Sequence, residues 1–346
     1  MASSRRYRAA LAGYYGFGNL GDELLLEASI AALSRCGVPR EGMVVLSNDP
    51  GGSRQKFGVD AVDRWKAGQI CRVLGQSETL LLGGGGLFQD ATSLRSCVYY
   101  WGLVRCAVFR GAVPWALGQS VGPLCSNFSR RLTRDALKRC RLVQVRDKAG
   151  LSLCEALGVD AELGHDLVLS LTLGGAFSGR HPAEKNAPTP DTNKTLLVNL
   201  RPCAGDFPER FADSVSAYAS AFEEKIVGVA FAEEDERLMR RFMDEKRLVL
   251  SRIERAVTME EALRVFQGAG AAAGMRLHFA MLAVLASVPL VVAPYDPKVE
   301  AFALDREVPV WDGGPFPAPR LSASPLFSPE FFQEEIDALC RDVLGL

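Results

Sequence analysis

Three side chains that could act together on an anion follow two apolar segments late in the chain. Arg276 and His278 lie in GMRLH, directly after the small-residue segment 271–274, and Lys298 follows segment 289–293. A guanidinium and an ammonium neutralise phosphate or carboxylate groups, and an imidazole can pass a proton near neutral pH. Any one of them could be an ordinary helix residue, but their shared position after strands favours an anion site with a general acid.

Two glycine-rich segments in the first half could hold another part of a ligand. GYYGFGNLGDE spans residues 13–23, and GGGG follows the apolar strand 79–82 as residues 83–86. Backbone N–H groups in such loops can approach an anion or a sugar closely. The first loop is not the dinucleotide fingerprint, because Tyr15 and Phe17 stand between its glycines, where we expect them to be exposed. A tight turn with Asp22 as the helix N-cap is the alternative.

Two further polar segments are expected at the same sheet edge. GQSVGPL at 118–124 ends one buried strand, and Arg146-Asp147 ends another. The alternative for Arg146 is an internal pair with Asp147. Tyr100 and Trp101, after the four glycines, could stack on a sugar or pack as the apolar face of a helix. No set of residues has zinc-ligand spacing and no serine nucleophile elbow occurs, so we predict no metal site.

The elements that must position these residues alternate between strand-like and helix-like segments, which predicts parallel sheets covered by helices. The predicted strands are 7–14, 43–47, 79–82, 113–118 and 142–145, then 195–200, 226–230, 248–251, 271–274 and 289–293. We predict an α/β protein with two Rossmann-like domains facing a central cleft. The predicted domains are 1–173 and 194–328. A glycine- and proline-rich linker spans 174–193, and a helix at 329–346 packs back.

Composition narrows the class of partner. The 346 residues carry 40 lysines and arginines against 41 aspartates and glutamates, so no global field favours nucleic acid. No segment has the length and apolarity of a signal sequence or a membrane span. The nine cysteines are scattered singly, which is typical of reduced thiols. We therefore expect a cytoplasmic protein.

Six motifs in order resemble the polysaccharide pyruvyl transferase family over about residues 7–303. They are GYYGFGNLGDELLLEASIAAL, GGGGLFQD, GQSVGPL, Arg146-Asp147, GMRLHFAMLA and Lys298. The likeness is greatest to members that pyruvylate secondary cell-wall polymers for surface-layer anchoring. It implies a GT-B-like fold and transfer of pyruvate from phosphoenolpyruvate to two hydroxyls of a sugar such as N-acetylmannosamine, usually lipid-linked. One departure is Leu167, where a proline is expected after His165-Asp166, and it makes His165 a second candidate.

The resemblance implies Arg146, His278 and Lys298 as phosphoenolpyruvate-site residues, with Tyr15 and Phe17 contributing. Our hypothesis makes His278 the general acid and Asp22 or Glu23 the base, with Arg146, Arg276 and Lys298 holding the donor. The residues assigned to the glycine loops and acceptor pocket are Gly16, Gly18, Asn19, Gly21, Gly84, Gly85, Gly86, Gln119 and Ser120. The resemblance implies that domain 1–173 lies on the acceptor side and domain 194–328 on the phosphoenolpyruvate side, and that a lipid-linked acceptor would bring the protein to the inner face of the membrane. Phosphoenolpyruvate is a co-substrate, no cofactor is expected, and the oligomeric state is not predicted.

Two other functions remain open from the sequence. A GT-B glycosyltransferase would bind a sugar nucleotide in the C-terminal domain, and donor choice distinguishes it. A non-catalytic glycan-binding protein would keep the pocket without turnover, but a binder of neutral sugar has no use for the three cations Arg276, His278 and Lys298. An oxidoreductase is the weakest alternative, because the dinucleotide fingerprint is absent.

Overall fold

The computed structural model describes residues 5–91, 93–171, 195–323 and 328–346. The chain divides into two compact units. The N-terminal unit comprises Met1–Phe17, Asp22–Thr172 and Ser328–Leu346, and the C-terminal unit comprises Gly18–Gly21 and Leu173–Phe327. The predicted linker, 174–193, lies outside the described residues.

The N-terminal unit is built on a seven-stranded parallel sheet. Its strands are β1 (Tyr7–Ala12), β2 (Met43–Ser47), β3 (Asp60–Asp63), β4 (Ser77–Phe88), β5 (Val113–Val121), β6 (Val143–Val145) and β7 (Glu162–Leu163). The strand order is β3-β2-β1-β4-β5-β6-β7, and every neighbouring pair is parallel. The direction of winding reverses between β1 and β4, so the ligand-binding position of an open α/β sheet lies at the carboxyl ends of these two strands.

The C-terminal unit contains a second, five-stranded parallel sheet. Its strands are β8 (Thr195–Asn199), β9 (Lys225–Ala230), β10 (Leu250–Arg255), β11 (Ala271–Gly274) and β12 (Leu290–Val292). The order is β10-β9-β8-β11-β12, with parallel pairing throughout. Here the winding reverses between β8 and β11. The predicted α/β class with two Rossmann-like domains is thus confirmed.

Twelve α-helices cover the sheets in the described ranges. They are α1 (Leu20–Arg35), α2 (Pro50–Phe57), α3 (Ala67–Gly75), α4 (Arg95–Phe109), α5 (Asn127–Leu137), α6 (Lys148–Ala156), α7 (Phe207–Ala221), α8 (Glu233–Asp244), α9 (Met259–Phe266), α10 (Leu277–Leu285), α11 (Pro297–Asp305) and α12 (Pro329–Leu344). Because helices pack on the sheets, strands such as β2 (MVVLS) are apolar and buried along their length instead of alternating. None of the helices in the described ranges has both the length and the apolarity needed to cross a membrane.

The last helix packs within the N-terminal unit. Arg35, at the end of α1, makes a bidentate ion pair with Asp337 of α12, with the Nη2–Oδ1 distance at 2.8 Å. The side-chain amide of Gln333 donates to the carbonyl of Ser170 at 2.8 Å. These contacts fix α12 by directional bonds as well as by its buried apolar face, which includes Phe332 and Ile336.

Candidate functional site

In the N-terminal unit the two glycine segments meet where the winding of the sheet reverses. Residues 13–17 of the first glycine segment follow β1, and Gly83–Gly86 form part of β4, which continues to Phe88. The four glycines are therefore strand residues with an irregular register against β5 between Gly85 and Phe88, not the loop that we predicted. Gly84 and Gly85 have φ values of 63° and 85°, which L-amino acids with a side chain rarely adopt. A Cβ on Gly86 would meet no atom within 4 Å, so the strand presents open backbone there.

Tyr15 joins these two segments from the inside. Its side chain is 1% exposed, and its hydroxyl donates to the carbonyl of Gly83 at 2.6 Å. Burial raises the pKa of this phenol well above its usual value. The expectation of an exposed Tyr15 is wrong, because its ring is buried and its hydroxyl connects the first glycine segment to β4. Phe17 is partly exposed and stacks on Tyr14, with ring centroids 3.9 Å apart.

The two acidic residues at the start of α1 have different environments. Glu23 is buried and accepts a hydrogen bond from the N–H of Gly16 at 2.8 Å. Burial raises the pKa of Glu23, and the Gly16 N–H only partly offsets this effect. Asp22 is half-buried, and its Oδ1 lies 3.7 Å from the position that a Cβ on Gly85 would occupy. Glu23 therefore holds the first glycine segment, whereas Asp22 is closer to the second one and more accessible.

Gln119 and Ser120, which we assigned to the acceptor pocket, lie inside the sheet. Gln119 is fully buried, and its side-chain amide donates to the carbonyl of Leu82 at 3.0 Å. Ser120 is also buried, and its hydroxyl donates to Asp147 at 2.6 Å. A bulky sugar cannot reach such side chains: Gln119 connects β5 to β4, and Ser120 connects β5 to the residue that caps α6.

Arg146, at the end of β6, has an internal carboxylate partner. Its Nη1 pairs with Asp166, and both side chains are almost completely buried. The alternative partner that we considered, Asp147, instead caps α6 by accepting from the N–H of Gly150 at 2.6 Å. Asp166 was not predicted as the partner of Arg146, because the two residues are 20 positions apart in the sequence. The one signal in the sequence was that Asp166 precedes Leu167, where a proline was expected. His165 faces α12, where it lies 3.5 Å from Glu335 and packs edge-on against Phe332.

In the C-terminal unit, Arg276 follows β11 but is held by carboxylates. It makes two 2.7 Å bonds to Asp235 and one of 2.8 Å to Glu234, both at the start of α8. Asp235 is fully buried, and its carboxylate also accepts from the N–H of Phe231. Burial alone would lower the pKa of Arg276, but the bonds to Asp235 raise it on balance. The structure therefore gives Arg276 a structural ion pair instead of an open face toward a ligand.

The other two predicted cations lie on neighbouring elements of the same edge. His278 is half-buried in the first turn of α10, directly after β11. Lys298 is the second residue of α11, after β12, where its Nζ lies 3.0 Å from Asp296 and more than a quarter of its side chain is exposed. The segment Gly18–Gly21 belongs to this unit, and the N–H of Leu20 donates to the carbonyl of Phe231 at 2.8 Å. The imidazole of His278 occupies the space where a Cβ on Gly21 would lie.

Gly18 and Asn19 complete this short segment. Gly18 has a φ of 71° and is exposed, and the side chain of Asn19 accepts from the N–H of Gly21 at 3.2 Å. This local hydrogen bond fixes the turn at the start of α1. The predicted loop residues are thus divided between the two units: Gly16 belongs to one, and Gly18, Asn19 and Gly21 to the other.

One cation at this edge was missed from the sequence. Arg201 follows β8, the strand next to β11, and its guanidinium lies 4.7 Å from the ring centroid of Tyr295 and donates to the hydroxyl of that residue. Arg201 is half-buried and forms no ion pair with a carboxylate in the part of the chain that the structure describes. The sequence pattern that led us to Arg146, an arginine just after a buried strand, would also have identified Arg201. The ends of β8, β11 and β12 therefore carry Arg201, His278 and Lys298.

This arrangement suits the binding of a small, multiply charged anion. The two cations can neutralise phosphate and carboxylate groups, and an imidazole after the strand between β8 and β12 can transfer a proton. Within the described ranges, no group of three or more histidine, cysteine, aspartate or glutamate side chains is placed to hold a metal ion.

Comparison with known proteins identifies a family and a fold. The model of a family described as polysaccharide pyruvyl transferase matches residues 19–297, most of the chain. No protein with a curated description matches significantly. Similar solved structures include UDP-GlcNAc 2-epimerase from Methanocaldococcus jannaschii, with a TM-score of 0.57, 9% identity and 88% of each chain covered. They also include the UDP-N-acetylglucosamine 2-epimerase of Rickettsia bellii, with a TM-score of 0.56 and 10% identity, covering 98% of this chain and 95% of that one. Anabaena HepE in complex with UDP and glucose is also similar, with a TM-score of 0.54 and 13% identity, and the match covers 97% of this chain and 90% of that one. At such identities these structures show the shared GT-B-like fold alone.

Proposed function

The chain belongs to the polysaccharide pyruvyl transferase family, and we propose that it moves a pyruvyl group from phosphoenolpyruvate to two hydroxyls of a cell-envelope sugar. The product is a pyruvate ketal, and phosphate is released. We propose N-acetylmannosamine on a lipid-linked precursor as the acceptor. The observation that carries the proposal is the grouping of Arg201, His278 and Lys298 at the ends of β8, β11 and β12.

The donor is a small anion with charge at both ends, which matches two separate cations. In this proposal Arg201 and Lys298 bind the carboxylate and the phosphate of phosphoenolpyruvate. Arg276 is a positioning residue that ties the start of α10, and so His278, to Asp235 on α8. Arg146 keeps the strand end of β6 in place through Asp166. This assignment differs from the sequence hypothesis by replacing the two internally paired arginines with Arg201.

The reaction requires one proton to be supplied and two to be removed. His278 donates a proton to the methylene carbon of phosphoenolpyruvate, which becomes a methyl group and leaves C2 oxocarbenium-like. One sugar hydroxyl adds to C2 and gives its proton to a carboxylate, for which we propose Asp22. The bond between C2 and the phosphate oxygen then breaks, phosphate leaves with the electron pair, and the second hydroxyl closes the ketal as its proton passes to the phosphate. One phosphoenolpyruvate and one diol thus give one ketal and one phosphate.

Asp22 is preferred to Glu23 as the base on grounds of access. Glu23 is buried and one of its oxygens is already bonded to Gly16, whereas Asp22 is half-buried near the backbone of Gly85. A base must reach the proton that it removes, and geometry is considered before pKa. Glu23 is therefore proposed as the residue that holds the glycine segment.

Donor choice tests the proposed function. Purified protein is incubated with an N-acetylhexosamine disaccharide glycoside and either phosphoenolpyruvate or a UDP-sugar, and release of phosphate and of UDP is measured. We expect phosphate release only with phosphoenolpyruvate and only when the acceptor is present. Release of UDP with transfer of a sugar, and no reaction of phosphoenolpyruvate, would instead support the glycosyltransferase alternative.

Replacing Arg201 with glutamine is expected to raise the KM for phosphoenolpyruvate about 10-fold or more, because a hydrogen bond to a charged group is lost. The KM for the acceptor should change little. Initial rates with varied donor and acceptor separate the two effects. The matched control is Arg237→Gln on α8, an exposed arginine whose ion pair with Glu233 spans 3.9 Å. An unchanged donor KM in Arg201→Gln would remove this residue from the donor site.

Replacing Glu23 with glutamine is expected to stabilise the protein increasingly as pH rises from 4 to 7. Below the usual glutamate pKa of about 4.3 the carboxyl is neutral in both states. As pH rises, the unfolded chain ionises first, so the wild type loses stability until the raised pKa of the folded state is passed. Glutamine keeps a side-chain oxygen that accepts the hydrogen bond from the Gly16 N–H, but it does not ionise, so it has no buried charge to destabilise the folded state. Urea unfolding of both proteins across this range measures the difference, and a difference independent of pH would contradict the role of burial.

A further inference from the structure

A buried arginine in the N-terminal unit is surrounded by aromatic rings instead of carboxylates. Arg64 is 4% exposed, and its guanidinium donates to the carbonyl of Gly13 at 2.6 Å and to the hydroxyl of Tyr100 at 3.3 Å. No ion pair of Arg64 occurs among the described residues. Five rings lie within 6 Å of its guanidinium carbon: Tyr14, Phe17, Trp65, Tyr99 and Tyr100, at 5.9, 5.1, 5.3, 4.6 and 5.9 Å. Cation–π attraction therefore gathers these rings around one point.

Four of these rings, Tyr14, Phe17, Trp65 and Tyr99, reach the surface, and we name them the aromatic platform. Trp65 is 62% exposed and Tyr14 is 46% exposed. Tyr100, in contrast, is buried, and Trp101 donates its indole N–H to Asp135, so these two residues pack as ordinary helix residues.

Hydrogen bonds fix two of the platform rings, Trp65 and Tyr99, in place. The indole N–H of Trp65 donates to the side chain of Asn48 at 2.9 Å, and its backbone N–H donates to Asp63 at 2.9 Å. The hydroxyl of Tyr99 donates to the carbonyl of Arg64 at 3.1 Å. Rigid aromatic side chains bind with little loss of conformational entropy, so a surface of this kind is prepared for a ligand.

The aromatic platform adjoins the first glycine segment. Tyr14 and Phe17 are themselves in that segment, and the side-chain amide of Asn48 donates to the carbonyl of Gly16 at 3.3 Å. The platform therefore continues from the carboxyl end of β1, where the winding of the N-terminal sheet reverses. This is the position at which open α/β sheets bind ligands.

We propose that the aromatic platform binds a pyranose ring of the acceptor by stacking it on Trp65. A pyranose has apolar C–H faces and a polar edge, so it can stack on the flat indole of Trp65, which Asn48 and Asp63 border. Four rings cover far less than the roughly 800 Å² that each partner buries in a standard protein interface, which favours a small ligand. The proposal rests on the proposed function only in taking the sugar to be the pyruvyl acceptor.

Tryptophan fluorescence provides a binding test that does not depend on turnover. The chain has four tryptophans, of which Trp115 and Trp311 are fully buried and Trp101 is partly buried. Quenching by iodide thus reports mainly on Trp65. The probe is the methyl glycoside of an N-acetylmannosamine–N-acetylglucosamine disaccharide, added without phosphoenolpyruvate. We expect it to protect the fluorescence from iodide, and we expect Trp65→Ala to bind it about 10-fold more weakly in calorimetry, with Trp65→Phe in between.

The matched control is Phe109→Ala, which removes an 83% exposed ring at the end of α4, outside the platform, and should bind the disaccharide as the wild type does. Unprotected fluorescence in the wild type, or wild-type affinity in Trp65→Ala, would overturn the platform proposal even if ketal forms. Protection by UDP but not by the disaccharide would overturn it as well. Protection by the disaccharide without any ketal from phosphoenolpyruvate would leave the platform standing and remove the proposed function.

Discussion

Replacing His278 with glutamine is expected to lower kcat by about 100-fold or more, because general acid catalysis contributes at least that factor. Glutamine can occupy similar space and form hydrogen bonds, but it has no acidic proton to give to the methylene carbon. Protonation of the methylene carbon would then depend on water. Steady-state rates at saturating phosphoenolpyruvate and acceptor measure the loss, and calorimetry with phosphoenolpyruvate alone checks that the donor still binds.

The chain provides its own control for this experiment. His165 is the other histidine in the described ranges, and it contacts Glu335 and Phe332 on α12. His165→Gln should keep a kcat close to that of the wild type and the same dependence on pH. If His278→Gln retained more than about a tenth of the wild-type kcat, the proton-donor role of His278 would be wrong.

Replacing Arg276 with methionine is expected to destabilise the C-terminal unit by about 3–5 kcal/mol, since it leaves a buried charge without its partner. The uncompensated group is Asp235, which is fully buried and receives two bonds from Arg276. Hydrogen exchange of the amides in β11 and β8 measures the opening free energy of this sheet directly.

Two further variants separate a structural ion pair from a donor-binding arginine. The double variant Asp235→Asn with Arg276→Met should recover much of the lost stability, because neither charge remains. Arg241→Met, which removes an exposed ion pair with Glu209 on the same unit, should cost less than about 1 kcal/mol. A near-normal stability of Arg276→Met together with a raised KM for phosphoenolpyruvate would return Arg276 to the donor site.

Much of the fold was readable because fully buried parallel strands are continuously apolar. Segments such as 43–47, 226–230 and 271–274 were predicted close to their observed bounds for this reason. β3 was missed because its sequence, DAVD, begins and ends with aspartate at the sheet edge. The glycines of β4 were taken for a loop, since glycine disfavours strands, but pairing with β5 on one side overrides that preference.

The side-chain partners at the candidate site could not be read in the same way. The carboxylate that engages Arg276 is 41 residues away in sequence, and only the fold brings α8 to the end of β11. The inward turn of Tyr15 depends on the carbonyl of Gly83, 68 residues away. Local patterns place residues at a sheet edge, but they do not tell which of the cations there are already neutralised by long-range ion pairs.

The most direct test of ketal formation is proton NMR of the acceptor after reaction with phosphoenolpyruvate in deuterated water. A ketal and an enolpyruvyl ether add the same mass and release the same phosphate, so mass alone does not distinguish them. We expect a methyl signal carrying one deuterium taken from solvent, with two sugar hydroxyls blocked and one phosphate released per ketal. Vinyl protons on the acceptor, or an unchanged acceptor in the presence of consumed UDP-sugar, would contradict pyruvyl ketal transfer.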